Sequence, residues 1–422
     1  MSHNNETGPL SESSFSFDSL KALSLESSGN EKINTCIQCG SCTGSCVAAE
    51  GMSLSPRKLW RSVQMGMETD IMESMGFWNC TTCALCDKRC PRGIPLSQIM
   101  LSLRNKFSAG GGGIAGVSQT LENLKKSGNI MGEEADSRFL WIDKLCLKDS
   151  EREGLFRDKS ETVYFTGCVG ALFPRVNGIP QSLVNLLRAI KSDFSLLKDE
   201  WCCGYPAMAG GMGLEAVREY SERNIAAMEK KGTREVIVSC PTCYYMFTKV
   251  YPKLHDKPFS FKVIHYTEYL ESRLAELNLK FPKAQDQKIN VTYHDPCDLG
   301  RKLHITAAPR NILKGLNGIT LNEMRFSGDE GKCCGGGGNL EMVNPELSSS
   351  IASRRIADAV ETGAEYLLSS CQQCKRTLQN AARKTRTRIK VMDILEFLTQ
   401  RLEESGAFTE SEKAGTAAEA SK

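Results

Sequence analysis

Cys36, Cys39, Cys42 and Cys46 form a C-x2-C-x2-C-x3-C run, and Cys80, Cys83, Cys86 and Cys90 repeat it with Pro91 behind. Further on, Cys168, the pair Cys202–Cys203 and the C-x-x-C of Cys240 and Cys243 make a third set. Cys297, the pair Cys333–Cys334 and the C-x-x-C of Cys371 and Cys374 make a fourth. Of the 19 cysteines, Cys146 alone falls outside these sets. Thiolates at such spacings hold iron–sulfur clusters. The chemistry to expect is electron transfer.

A cubane cluster needs four thiolates that converge on its irons. Three cysteines spaced by two residues wrap one cluster, and the fourth of such a run reaches the other cluster in two-cluster ferredoxins. This pattern assigns Cys36, Cys39, Cys42 and Cys90 to one [4Fe–4S] cluster. Cys80, Cys83, Cys86 and Cys46 then hold the second. Zinc is the competing reading, but its four-ligand sites leave the last cysteine of each run unexplained. The two later sets carry five cysteines each, one more than tetrahedral zinc or an ordinary cubane needs. Adjacent cysteines require an unusual backbone, which the following Gly204 and Gly335 permit.

The elements that must position these residues are legible in part. Ser55 and Pro56 signal a helix start between the first two runs, with Leu59, Trp60, Val63 and Met67 at helical spacing. Met65, Met67, Met72 and Met75 read as adaptable core filler. Gly110–Gly113 follows a helical stretch, lacks the Lys-Ser/Thr of a phosphate loop and reads as a flexible linker. The back half is duplicated. Cys168 and Cys297 are 129 apart, while Cys202 and Cys333, like Cys240 and Cys371, are 131 apart. EVIVSC parallels EYLLSSC, KVIHYTEYL parallels KVMDILEFL, and Pro180 and Pro309 each open a helix. Short apolar runs, Val163–Thr166, Val291–His294, Val236–Val238 and Tyr366–Leu368, end at cysteines. Strands alternating with helices predict parallel sheets, with the cysteines at the carboxyl ends of strands, where such folds bind ligands.

The expected fold is therefore α+β and α/β: an α-helical dicluster ferredoxin followed by two duplicated α/β domains with parallel sheets. The boundaries read as a disordered tail 1–30, ferredoxin 31–107, linker 108–160, repeat domains 161–285 and 286–404, and a disordered tail 405–422.

The cysteine pair followed by glycine, twice, is the signature of CCG domains. With the upstream dicluster module, residues 31–400 resemble heterodisulfide reductase, as its D subunit or a fusion of its C and B subunits. The helical segment between the first two runs resembles the α-helical ferredoxins of respiratory enzymes. The resemblance implies that Cys168, Cys202, Cys203, Cys240 and Cys243 hold one noncubane [4Fe–4S] cluster. Cys297, Cys333, Cys334, Cys371 and Cys374 would hold another; zinc in one of the two domains is the alternative. It also implies catalysis at Cys203 and Cys334, with a small-molecule disulfide or its thiols as substrate. Related subunits serve glycolate, lactate and glycerol-3-phosphate dehydrogenases and sulfate-reducer complexes, so a non-catalytic electron-transfer role is the second reading. Partners would be a flavoprotein, a membrane cytochrome subunit, or both.

Where many relatives carry His after the first cysteine of the second repeat, this chain has Asp298. His294 is placed to supply a proton, with a hydrogen-bonded strand-end histidine as the plainer reading. Arg301 and His304 either meet an anionic substrate or lie on a solvated helix face. Cys146 reads as a small core residue.

Composition sets the frame. The 53 basic and 50 acidic residues leave a net charge of +3 without a basic block, which argues against nucleic acid. No apolar run approaches the ~18 residues that span a bilayer. The start lacks a basic n-region and an apolar h-region, so a cytoplasmic location is expected, peripheral on the inner membrane face through a partner. In that compartment thiols stay reduced, and clustered cysteines read as metal sites rather than a disulfide framework.

Overall fold

The computed structural model describes residues 30–273 and 288–404; the expected tails, apart from Asn30, lie outside them. The front third is helical. Its helices include Ser41–Ser45, Pro56–Gln64, Glu68–Ser74, Leu85–Arg89 and Leu96–Ala109. Pro56 opens its helix as expected, but Ser55 makes no side-chain capping bond. Leu59, Trp60, Val63, Ile71 and Met72 turn inward with Phe77, Trp78 and Leu103. Met65 and Met67 do not: they are 58% and 40% exposed, because they lie in the turn between the helices Pro56–Gln64 and Glu68–Ser74.

The stretch 108–160, expected as a linker, is built. It carries the helix Ala115–Ser127 and a run of 3-10 turns over Ala135–Leu145, whose Trp141, Ile142 and Leu145 are buried in the main core. Val117, Leu121 and Leu124 stand at helical spacing in the first of these, and Trp141, Ile142 and Leu145 anchor the second. Cys146, at its end, is exposed in a left-handed conformation, so it is not a core residue.

Two four-stranded parallel sheets follow. The first uses β1 (Thr162–Phe165), β2 (Ser195–Leu196), β3 (Glu235–Val238) and β4 (Lys262–His265), in the order β2-β1-β3-β4. The second uses β5 (Ile289–His294), β6 (Ile319–Leu321), β7 (Tyr366–Ser369) and β8 (Lys390–Asp393), in the order β6-β5-β7-β8. Val163 pairs with Val236, and Thr292 with Leu367. Strands covered by helices on both faces are mainly apolar, as Val163–Phe165, Val236–Val238 and Tyr366–Leu368 are. In each sheet the chain reverses its direction of winding between the two central strands. A crevice opens there at their carboxyl ends, where α/β folds take ligands. Cys168 and Cys240 follow β1 and β3, and Cys297 and Cys371 follow β5 and β7.

The halves share one core. Tyr164, Leu183, Ile237 and Tyr266 from the first pack with Tyr293, Ile312, Leu368 and Phe397 from the second. The contacts exchange in a pseudo-twofold way. Helix Gly178–Ala189 lies on Ile394–Glu404, and Tyr266–Arg273 lies on Ala307–Lys314. That packing turns the two crevices toward each other.

Candidate metal centres

The two front runs use the same backbone device. Gln38 and Gly40 in the first, and Thr82 and Ala84 in the second, all have positive φ. A left-handed residue before and after the second cysteine curls each loop inward. A β-branched Thr82 in that region is strained, and its N–H donates to Cys80 Sγ at 3.3 Å. Cys36, Cys39, Cys42 and Cys90 line a common cavity of about 350 Å³, open to solvent. The fourth cysteine of the second run thus stands beside the first three of the first run. Cys46 crosses over in return: burial, then Cys80 and Cys83, push its thiol up to about 12. Cys80 is pushed up to about 11, and Cys86 rises for the same reason of burial among acidic neighbours. Thiols so placed ionise together only around compensating cations, which is the donor chemistry of an iron–sulfur cluster.

In the back half, Gly204 (φ +82°) and Gly335 (φ +89°) release the chain from each cysteine pair. A Cβ on Gly335 would stand 2.6 Å from Ser348 O and 3.1 Å from Ile351 Cβ. The thiols then follow one another, each near enough to shift the ionisation of the next. Cys168 meets Cys202, which adjoins Cys203; Cys203 meets Cys243, and Cys243 meets Cys240. In the second set Cys371 meets Cys374, Cys374 lies 3.3 Å from Cys334, Cys334 adjoins Cys333, and Cys333 meets Cys297. The two groups of five touch through Cys240 and Cys371. The second group also touches the ferredoxin region through Cys83 and Cys333. Hydrogen bonding from Cys333, and then Arg301, hold the Cys83 thiol down at about 5.

A solvent-open cavity of about 910 Å³ lies between the halves. Cys168, Cys202, Cys203, Cys240, Cys243 and Cys297 line it, with Thr82, Gly336–Gly338 and Gln372. The thiols of Cys202 and Cys243 hold Cys203 down at about 6. Cys334 and His294 are not on its wall. His294 is fully buried, and a ring nitrogen lies within 4.8 Å of both Cys334 and Cys374 Sγ. Arg355 Nε donates to its Nδ1 at 3.1 Å, which leaves the proton of the neutral ring on Nε2. Burial pushes its pKa down, against the pull of Cys334. Phe165 occupies the equivalent end of β1.

Arg301 does not lie on a solvated face. It is buried and donates to Cys83 O at 2.6 Å, to Asp329 O at 2.9 Å and to Gly331 O. His304 is exposed. Asp298 accepts from Thr242 Oγ1 at 2.6 Å and pairs with Lys302 at 2.7 Å. Its carboxylate therefore pins one repeat to the other.

Several residues escaped sequence reasoning. Arg104 is fully buried and donates to Phe77, Trp78 and Cys80 carbonyls, to Ala209 O at 2.9 Å and to Gly338 O at 2.8 Å. One guanidinium thus ties the ferredoxin region to both repeats. Arg138 donates to Cys168 Sγ at 3.0 Å and to Glu200 at 2.8 Å. Gln372, inside the second C-x-x-C, accepts from Gly170 N at 2.8 Å and donates to Thr166 O at 2.9 Å in the first repeat. Of these, only Arg104 left a signal, as a charged residue in the apolar face of a helix.

Comparison with known proteins agrees with this layout. A cysteine-rich domain family matches residues 162–248 and 291–379, and a 4Fe-4S dicluster domain family matches 35–95. The chain is 30% identical over 397 residues to the D subunit of the dihydromethanophenazine:CoB–CoM heterodisulfide reductase of Methanosarcina acetivorans, covering 88% of this chain and 94% of that one. The Methanosarcina barkeri counterpart is 29% identical over the same shares. The EtfAB:quinone oxidoreductase of Syntrophomonas wolfei is 28% identical over 348 residues, 79% of this chain but 48% of that longer protein.

Proposed function

The chain belongs to the family of heterodisulfide reductase D subunits, and from that premise we propose that it reduces, or forms, a disulfide of low-molecular-weight thiols. It is an iron–sulfur electron-transfer oxidoreductase subunit. Cys36, Cys39, Cys42 and Cys90 hold one cubane, and Cys46, Cys80, Cys83 and Cys86 the other. Each five-cysteine set holds a noncubane cluster, with zinc in one of them as the alternative. Gly204 and Gly335 let the chain pass close to those groups. Bound clusters supply one-electron storage and a metal surface for sulfur.

The observation that carries this reading is the contact of Cys240 with Cys371 beside the shared cavity. A disulfide takes two electrons and two protons to become two thiols. Both sets reach one cavity, the second through Cys297, so clusters held there would present metal to both sulfurs of one substrate. Cys203 is the thiolate on the cavity wall; Cys334, its counterpart in the second set, is buried away from that wall beside His294, which holds a proton at Nε2. Electrons enter through the ferredoxin region and reach the second set first, across the Cys83–Cys333 contact.

The test is direct. Iron-loaded protein with reduced viologen should consume a disulfide, and Cys203→Ala should abolish this while the cubane EPR signals persist. Cubane signals without turnover of any disulfide would count against it.

The likeness to an EtfAB:quinone oxidoreductase favours a second reading, a relay between a flavoprotein and a quinone-linked partner without a disulfide substrate. Among the described residues no helix is long and apolar enough to cross a membrane, so a membrane cytochrome partner would supply the span. With such a partner, the chain would sit peripherally at the cytoplasmic face. Copurification with a flavoprotein or cytochrome, without disulfide turnover, selects the relay.

A further inference from the structure

We propose that the face around the Cys36 site, formed by Ile37 and Met65 and ringed by Lys32, Arg57, Arg61 and Arg92, docks an acidic one-electron carrier protein. This rests on electron entry through the ferredoxin region. Apart from Cys146, Cys39 is the one exposed cysteine among the described residues, so the site it lines opens to solvent. Ile37, between Cys36 and Cys39, is 64% exposed, and Met65 is 58% exposed. They are neighbours: Gln38 Nε2 donates to Gln64 Oε1 at 3.3 Å, and Gln64 Nε2 donates to Ile33 O at 3.1 Å. Exposed apolar residues that frame a redox site suit a partner core, where methionine is favoured.

The rim is basic and unspent. Arg57, Arg61 and Met65 follow at four-residue steps along one face of the helix Pro56–Gln64 and its end. Arg57 and Arg92 both line the Cys36 cavity. Lys32 Nζ lies 4.0 Å from where a Cβ on Gly93 would stand, beside Arg92. None of the four bases forms an ion pair among the described residues. In contrast, the nearby Lys88 and Arg89, which meet the second repeat, are paired with Asp329 and Glu330. Unpaired charge around an apolar centre steers an oppositely charged partner and fixes its orientation. The electron step it serves moves one electron from the reduced carrier to the Cys36 site, with no bond made or broken and no proton moved. An anionic lipid surface would satisfy the charge but brings no electron, so the position of the patch over the redox opening favours a protein.

The test uses the full iron-loaded chain and an oxidised plant-type [2Fe–2S] ferredoxin as acidic probe, with binding followed calorimetrically. Binding should be measurable in low salt and weaken by about tenfold or more on raising salt past a few hundred millimolar. K32E/R61E should weaken it about tenfold with iron content kept, while K125E/K126E, on an exposed helix elsewhere, should not. Four results would overturn the proposal: no binding in low salt; equal weakening by both variants; salt-sensitive self-association of the chain lost in K32E/R61E; or capture by phosphatidylglycerol vesicles but not by ferredoxin. Intact probe binding without disulfide turnover would keep this surface and remove the catalytic reading.

Discussion

Cys83 and Cys333, 250 positions apart in the chain, stand close enough for their thiols to influence each other's ionisation. Arg301 locks the approach by donating to Cys83 O at 2.6 Å from the second repeat. The second cysteine of a ferredoxin run is thereby held against the first member of a cysteine pair, and a continuous sulfur path leads from the front of the molecule to the facing sites.

Cutting this path should separate storage from use. Cys83→Ala should lower bound iron by up to one cluster and slow electron delivery to the back-half sites on the order of 10-fold or more. Cys168→Ala, at the far end of the path, should leave reduction of the cubane signals unchanged. Rapid-mixing EPR with a reduced viologen distinguishes the two.

Arg104 should be worth more to stability than any surface charge. Replacing it with Met strands several buried carbonyls, at a cost of at least about 3 kcal/mol. Arg104→Lys should recover little, because an ammonium cannot reach the fan of acceptors that a planar guanidinium spans. Thermal unfolding of the iron-loaded protein reads both.

The two pair-following glycines should differ in tolerance. Both need positive φ, but a Cβ at Gly204 meets Val217 at 3.3 Å, whereas at Gly335 it drives into a backbone carbonyl at 2.6 Å. Gly335→Ala should therefore destabilise more than Gly204→Ala, by roughly 1–3 kcal/mol. Chemical denaturation midpoints together with iron retention decide it.

Asp393 sets a pH dependence. It is buried at the end of β8, accepts from Tyr266 Oη at 2.8 Å and is pushed up to about 7 by burial. Between its unfolded value near 3.9 and 7 the folded state binds a proton that the unfolded state does not. This contribution to stability is therefore largest at low pH and falls by about 1.4 kcal/mol per pH unit until it levels off above 7. Asp393→Asn lacks that slope, so its stability relative to the wild type should rise from pH 5.5 to pH 7.5. A constant difference across that range would show that burial does not shift Asp393.

Cluster-binding cysteines, the duplicated repeat and the cysteine-ending strands were legible in the chain itself. A cluster loop is local: its ligands lie two or three residues apart, so their spacing is written in the sequence. Parallel strands buried on both faces likewise announce themselves as short apolar runs. What the sequence could not say is which sulfurs from different segments meet, or that Arg301 faces inward. It could not say that Arg104 serves three regions, or that residues 115–145 are packed structure rather than linker. Those facts depend on the pseudo-twofold packing of two repeats around one core. A buried guanidinium finds its carbonyls only after segments far apart in the chain have come together, and no local pattern records such a partner.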